Sequence, residues 1–403
     1  SEMCIRDREY IVQLITRHKF EAVFAGIFCL AVFTALAMSY VGMDDPQLLG
    51  QAFMLAGLIV YLKKIKASLP LVALLFSIGL FIKHNLITLL VVVSIDIFFS
   101  SRKDFFKWIS YLFFFLGGFT FVTEIASHGT FIQLILLKRQ YSLYYMVLNL
   151  KYYISLIVIP FLIALCYVLY RAKSYRLFCL YFLLSFLIGV LFSGGDGTGV
   201  NMFFDLYICL AIVFGLLLSE LHTRSLSENT LLTLKWRDFS YGFRIRSDFS
   251  KLYLVALFLL VAHIYMILGV GYVAHLVDYS ALTKQEATVQ DVEYLEGEHG
   301  ATLCENLVLC FYAHKPFSYD PFNVDEEVLT GRITEGTILT IIENKYFSII
   351  QLDKPVPTSY FTGLPYTSLI QRGIFTENFL RALGKNYHLV HLSDNGAFYA
   401  PNK

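Results

Sequence analysis

The sequence predicts an α-helical integral membrane bundle of about nine spans followed by a small C-terminal α/β extracytoplasmic domain. Three observations lead there. The chain has 403 residues, 57% hydrophobic and only 16% charged, with mean hydropathy +0.62, whereas soluble domains carry about 25% charged residues. The apolar residues fall in runs between Phe20 and Val270. From Asp278 onward the runs give way to polar sequence with alternating helix and strand signals. Aromatic residues, 16% of the chain, suit lipid contact and interfacial belts. The net charge of +1 is uninformative, because the charge is unevenly placed along the chain; no nucleic acid is expected as a partner.

The opening S-E-M-C-I-R-D-R has no Met at position 1 and no signal-peptide pattern. It resembles translated sequencing adapter, so residues 1–10 are expected to be a non-native leader. Residues 11–277 then form the polytopic domain and 278–403 the extracytoplasmic one. A span needs roughly 20 mainly apolar residues. The runs are Phe20–Val41, Leu48–Leu62, Leu69–Ile82, Leu86–Phe99, Phe105–Thr123, Tyr152–Tyr170, Leu177–Phe192, Met202–Leu221 and Leu252–Val270. The third and fourth could join as one helix, but Lys83 would then sit near the bilayer centre, costing about 2.5–3.5 kcal/mol or more.

Loop charge sets the orientation. With the N-terminus inside, the inner loops hold clusters such as Lys63-Lys64-Lys66, Arg102-Lys103-Lys107 and Arg171-Lys173-Arg176, while the outer loops hold only Lys83, Lys138, Arg139 and Lys151. Joining the third and fourth runs breaks this alternation, so Lys83-His84-Asn85 reads as a tight outer turn. The outer loop Ile125–Leu150 reads as an amphipathic helix in the interface. Its Lys138-Arg139 pair either snorkels or meets lipid phosphates.

In the tail, helices are expected at Lys284–Glu298, Leu307–His314, Val324–Thr330 and Thr376–Leu383. Strands are expected at Ala301–Cys304, Tyr346–Leu352, Tyr387–Leu392 and Ala397–Ala400. Cys29, Cys166, Cys179 and Cys209 lie in apolar runs and read as small buried hydrophobes. Cys304 and Cys310 admit a disulfide; spacing alone leaves it open.

The unusual polar residues all face outward in this topology. Asp45 before Pro46 reads as an N-cap with Pro at the first helical position. Asp44 is then left over, and adjacent acids at a membrane edge suit a general base or part of a metal site. Lys83 and His84, with the helix start near Asn85, suit a phosphate; a snorkelling Lys beside a solvated His is the plainer reading. Ser193–Asn201 is glycine-rich, as either a ligand loop or a short hairpin between spans. Asn201 and Asp205, one turn apart, share a helix face, and with Asp196 they are the substrate-binding candidates.

At these residues a family resemblance enters. D-D-P-Q-L-L-G-Q-A-F-M-L-A-G-L, F-I-K-H-N-L-I, G-T-G-V-N-M-F-F-D-L and H-K-P-F-S-Y-D-P-F resemble bacterial polytopic glycosyltransferases of the GT-C type, relatives of the protein mannosyltransferases and lipid A aminoarabinose transferases. The resemblance covers roughly Phe20 to Lys403. It implies a bacterial inner-membrane enzyme with an outward active site. Its partners are a polyprenyl-phosphate sugar donor, a lipid, glycan or protein acceptor, and membrane lipids. The family's usual catalytic acid lies in the first outer loop, which is expected to lie N-terminal to this sequence. Asp44 and Asp45 match a later acidic position and stand as the catalytic candidates. Lys83, His84, Asn85, Lys138 and Arg139 stand as the donor-phosphate ligands. No cofactor is fixed; a divalent cation is the one that paired acids admit. The competing class, a transporter or flippase of lipid-linked saccharides, predicts charges within spans and internal repeats.

Overall fold

The computed structural model describes residues 10–37, 40, 45–63, 68–136, 138–155, 157–235, 280–316, 320–356 and 375–403. The chain divides into two compact units, Ser1–Leu137 with Tyr141–Val273, and Lys138–Gln140 with Ala274–Lys403. The expected boundary at residue 277, the ninth apolar run and nearly all of the expected leader lie outside the described residues.

The described part of the first unit is helical. Its helices are α1 (Lys19–Leu36), α2 (Gln47–Leu62), α3 (Leu69–Ile82), α4 (Ile87–Ser100), α5 (Arg102–Ala126), α6 (Phe131–Ile135), α7 (Leu143–Ser155), α8 (Val158–Tyr170), α9 (Arg176–Phe192) and α10 (Phe204–Lys235), the last preceded by a 3-10 turn, Val200–Phe203. Each predicted apolar run among the described residues is helical, and α3 and α4 are separate helices. Among those residues, three segments are long and apolar enough to cross a membrane: Lys19–Leu36, Arg102–Ala126 and Val200–Thr223. The helices α2, α3, α4 and α9 are apolar but shorter. The 14 residues of α3 or α4 extend about 21 Å, short of the roughly 30 Å hydrocarbon core.

Two expectations are corrected. The run Tyr152–Tyr170 is not one helix: α7 and α8 bend by 88° at their break. Pro160 explains it, because a continuous helix would drive its ring into the carbonyl four residues back. Nor is Ile125–Leu150 one amphipathic helix. The helix α5 continues to Ala126, and His128 and Gly129 turn the chain with positive φ of 53° and 86°. Glu124 Oε2 accepts the Ile132 amide at 2.9 Å, starting the short α6.

The segment Val200–Thr223 is the buried centre of the bundle. It runs antiparallel to α1 through Phe33–Phe204 and Phe28–Phe214 ring contacts at 4.7 and 5.2 Å. By contrast, α5 exposes Phe106, Phe113, Phe114 and Phe121, an uncovered apolar surface. Small residues let α2 and α3 pack closely: a Cβ on Gly79 would lie 3.1 Å from the Gly50 carbonyl, and one on Gly57 would strike the Phe76 ring. Toward the other end, the acids are paired. Arg176 holds Asp96 at 2.6 Å with Tyr61 donating to the same carboxylate, and Arg171 holds Glu220 at 2.8 Å.

The second unit is a small mixed sheet with helices. It comprises α11 (Ser280–Gly297), β1 (Ala301–Cys304), α12 (Leu307–Tyr312), α13 (Pro321–Leu329), α14 (Glu335–Glu343), β2 (Phe347–Leu352), α15 (Glu377–Asn386), β3 (Tyr387–Ser393) and β4 (Gly396–Pro401). The strand order is β1-β2-β4-β3, with β1 parallel to β2 and the other pairs antiparallel. All four strands stand where the sequence places them. The helix α14 was not expected: T-I-L-T-I-I carries β-branched residues that disfavour helix. Ile338 and Ile342, one turn apart and buried in the core, decide the conformation instead.

Cys304 and Cys310 form a disulfide, tying β1 to α12. The Tyr387 hydroxyl donates to the Phe347 carbonyl at 3.2 Å, and burial pushes its pKa up to about 12. Asp291 on α11 is fully buried and joins α11 to the β3–β4 hairpin. Its carboxylate meets His391 Nε2 at 2.9 Å and accepts Ser393 Oγ at 2.6 Å and Asn395 Nδ2 at 2.8 Å. The Gln140 amide donates to Glu326 at 2.9 Å, and Arg139 lies 5.9 Å over the Phe322 ring.

Candidate functional site

Three helix starts in the first unit touch one another. The first belongs to α2, where Asp45 Oδ1 accepts the Gln47 amide at 2.8 Å. The N-cap position falls on Pro46, so Asp45 supports the first turn from one residue earlier than expected. The second is the Lys83–Leu86 turn into α4. Lys83 Nζ reaches both Asp45 oxygens, at 3.0 and 3.1 Å, a charge-assisted chelate. The third is Val200–Phe203 leading into α10. Gln47 Nε2 donates to the Asn201 carbonyl at 3.4 Å, and Asn85 Nδ2 meets Met202 Sδ at 3.7 Å.

Below these starts lies Asp205, 8% exposed. Tyr181 on α9 donates its hydroxyl to Asp205 Oδ1 at 3.0 Å. Gln51 and Thr88 lie against the same carboxylate, with neither Gln51 amide atom in a well-formed hydrogen bond. Gln47 Oε1 and Asn85 Oδ1 are also buried without a partner. Native interiors pair nearly all such groups, so the unpartnered amide oxygens at these helix starts mark a place built for polar company.

The predicted residues therefore divide. Asp45, Lys83, Asn85, Asn201 and Asp205 come together. His84 is exposed on the turn. Asp196 folds onto its own loop, accepting the Gly197 amide at 3.0 Å. The glycine-rich loop serves packing at Gly194, where a Cβ would stand 2.5 Å from the Tyr141 ring, and Ser193 accepts Asn149 Nδ2 at 2.8 Å. Lys138 and Arg139 belong to the second unit. Asp44 lies outside the described residues.

Sequence reasoning missed Gln47, Gln51, Thr88 and Tyr181. The two glutamines carried a signal: they stand four apart in an apolar helix, hence on one face, and both are buried. No protein-family model matches the chain, and no curated protein sequence matches it.

Proposed function

We propose that the chain is a membrane glycosyltransferase of the GT-C type in a bacterial inner membrane, with about nine spans and its active face and tail extracytoplasmic. It transfers sugar from a polyprenyl-phosphate donor to a lipid, glycan or protein hydroxyl. The observation that carries this reading is the meeting of three helix starts and Lys83 near buried Asp205, with Gln47 Oε1 and Asn85 Oδ1 buried at those starts without partners. Sugar hydroxyls are both donors and acceptors and match such amides. A phosphate matches a lysine and positive helix ends. The Cys304–Cys310 disulfide suits an oxidising compartment for the tail.

The chemistry is a single displacement. A carboxylate takes the acceptor proton as its oxygen attacks the anomeric carbon. The bond from that carbon to the phosphate oxygen breaks, and the electron pair leaves with the lipid phosphate. Asp45 is committed to Lys83 and the Gln47 amide, so its role here is to position the cation that receives the phosphate. Asp205 is the carboxylate we assign to the acceptor. A second reading, a carrier or flippase for lipid-linked saccharides, draws on the same Asp205, since buried intramembrane acids also line transport paths.

Topology provides the first test. Single cysteines at Thr198 and at exposed Thr337 react with an impermeant thiol reagent in intact cells. Labelling only after lysis removes the outward-facing site.

A further inference from the structure

The start of α1 and the far part of α10 bring three metal-ligating side chains together, and the proposed transfer uses none of them. His18 holds the N-cap position of α1, Glu21 lies in its first turn, and His222 comes from α10. One ligand atom from each lies within 4.8 Å of the others. His222 Nδ1 is 2.6 Å from Glu21 Oε1, and the two imidazole centroids are 5.3 Å apart. The antiparallel packing of α1 on α10 creates this meeting. It places the cluster about 25 Å from Asp205 along the helix.

We propose that His18, Glu21 and His222 form a site for a divalent transition metal of the zinc type, clasping α1 to α10. Glu21 is 1% exposed, and a carboxylate so buried needs a cation. His222 alone would suffice for an ion pair; a second imidazole at the same place adds nothing to that pair. Two imidazoles and one carboxylate are a known three-ligand zinc set with a fourth position for water. Ligand bonds of about 2.0–2.2 Å separate tetrahedral donor atoms by roughly 3.4 Å. That lies between the 2.6 Å of the closest pair and the 4.8 Å limit of the cluster, so side-chain rotation suffices. The Thr223 hydroxyl, 3.5 Å from His18 Nε2, stands where an outer partner orients a ligand ring. His222 is partly exposed, which gives an ion an entry path.

The full chain, purified in detergent and stripped with chelator, is titrated with Zn²⁺ alone and then with Co²⁺ as an optical probe. Wild type retains one zinc per chain after gel filtration, melts at a higher temperature with zinc, and shows tetrahedral cobalt bands. H18A leaves the Glu21–His222 pair in place, so it folds. It retains no more zinc than the H18A/H222A double variant and gains no thermal protection. Zinc retention by wild type no greater than by the double variant overturns the site and leaves a plain ion pair. Equal zinc protection of wild type and H18A overturns it as well.

Discussion

Asp205→Asn lowers sugar transfer from a polyprenyl-phosphate donor by ~30- to 1000-fold while the protein stays folded. Asn has nearly the same shape, and its carbonyl oxygen still accepts the Tyr181 hydroxyl, now 3.0 Å from Asp205 Oδ1. What disappears is the charge. A charge-assisted contact made in the transition state contributes about 2–4 kcal/mol, which converts to that range of rate. The assay follows donor consumption in proteoliposomes, with thermal unfolding in parallel. Unchanged transfer by a folded Asp205→Asn variant assigns Asp205 to packing. A lower melting temperature with unchanged transfer per folded molecule says the same.

Asp291→Ala produces the largest loss of stability expected in the tail. The fully buried carboxylate is the common partner of His391, Ser393 and Asn395. Removing it strands those groups against α11. Leaving hydrogen-bonding groups without their buried acceptor costs about 1–3 kcal/mol, or roughly 4–12 °C for a domain of this size. Asp291→Asn keeps an acceptor and loses less. The transition is read in the full chain by calorimetry and by protease cleavage within the tail. A tail transition unmoved by Asp291→Ala contradicts the assignment.

The parts of the fold that sequence made legible are those governed by local rules. The runs of α2, α3, α4 and α9 end within a residue or so of the helices, because an apolar helix ends where polar turn residues begin. Lys83-His84-Asn85 was legible as a turn because a lysine in mid-bilayer costs too much. Three kinds of feature were not legible. The break before α8 depends on Pro160, which acts against a carbonyl four residues earlier and leaves the apolar run unbroken in composition. The helix α14 is set by burial of Ile338 and Ile342, against the preference of its β-branched residues. The candidate site rests on contacts across distant segments. Gln51, Thr88, Tyr181 and Asp205 come from α2, α4, α9 and α10, and no spacing rule connects them. Likewise Asp45 looked like a cap, and only the folded chain shows that the same carboxylate also chelates Lys83.

In the proposed reaction a glycosidic linkage to lipid phosphate is broken at this site. The direct measurement reconstitutes the chain in proteoliposomes with polyprenyl-phosphate sugars and an acceptor extract, and follows both lipids by mass spectrometry. The expected result is release of free polyprenyl phosphate in step with glycosylated acceptor, both lowered together in Asp205→Asn. Movement of intact lipid-linked sugar across the bilayer, with no polyprenyl phosphate released, would contradict it and establish a carrier instead.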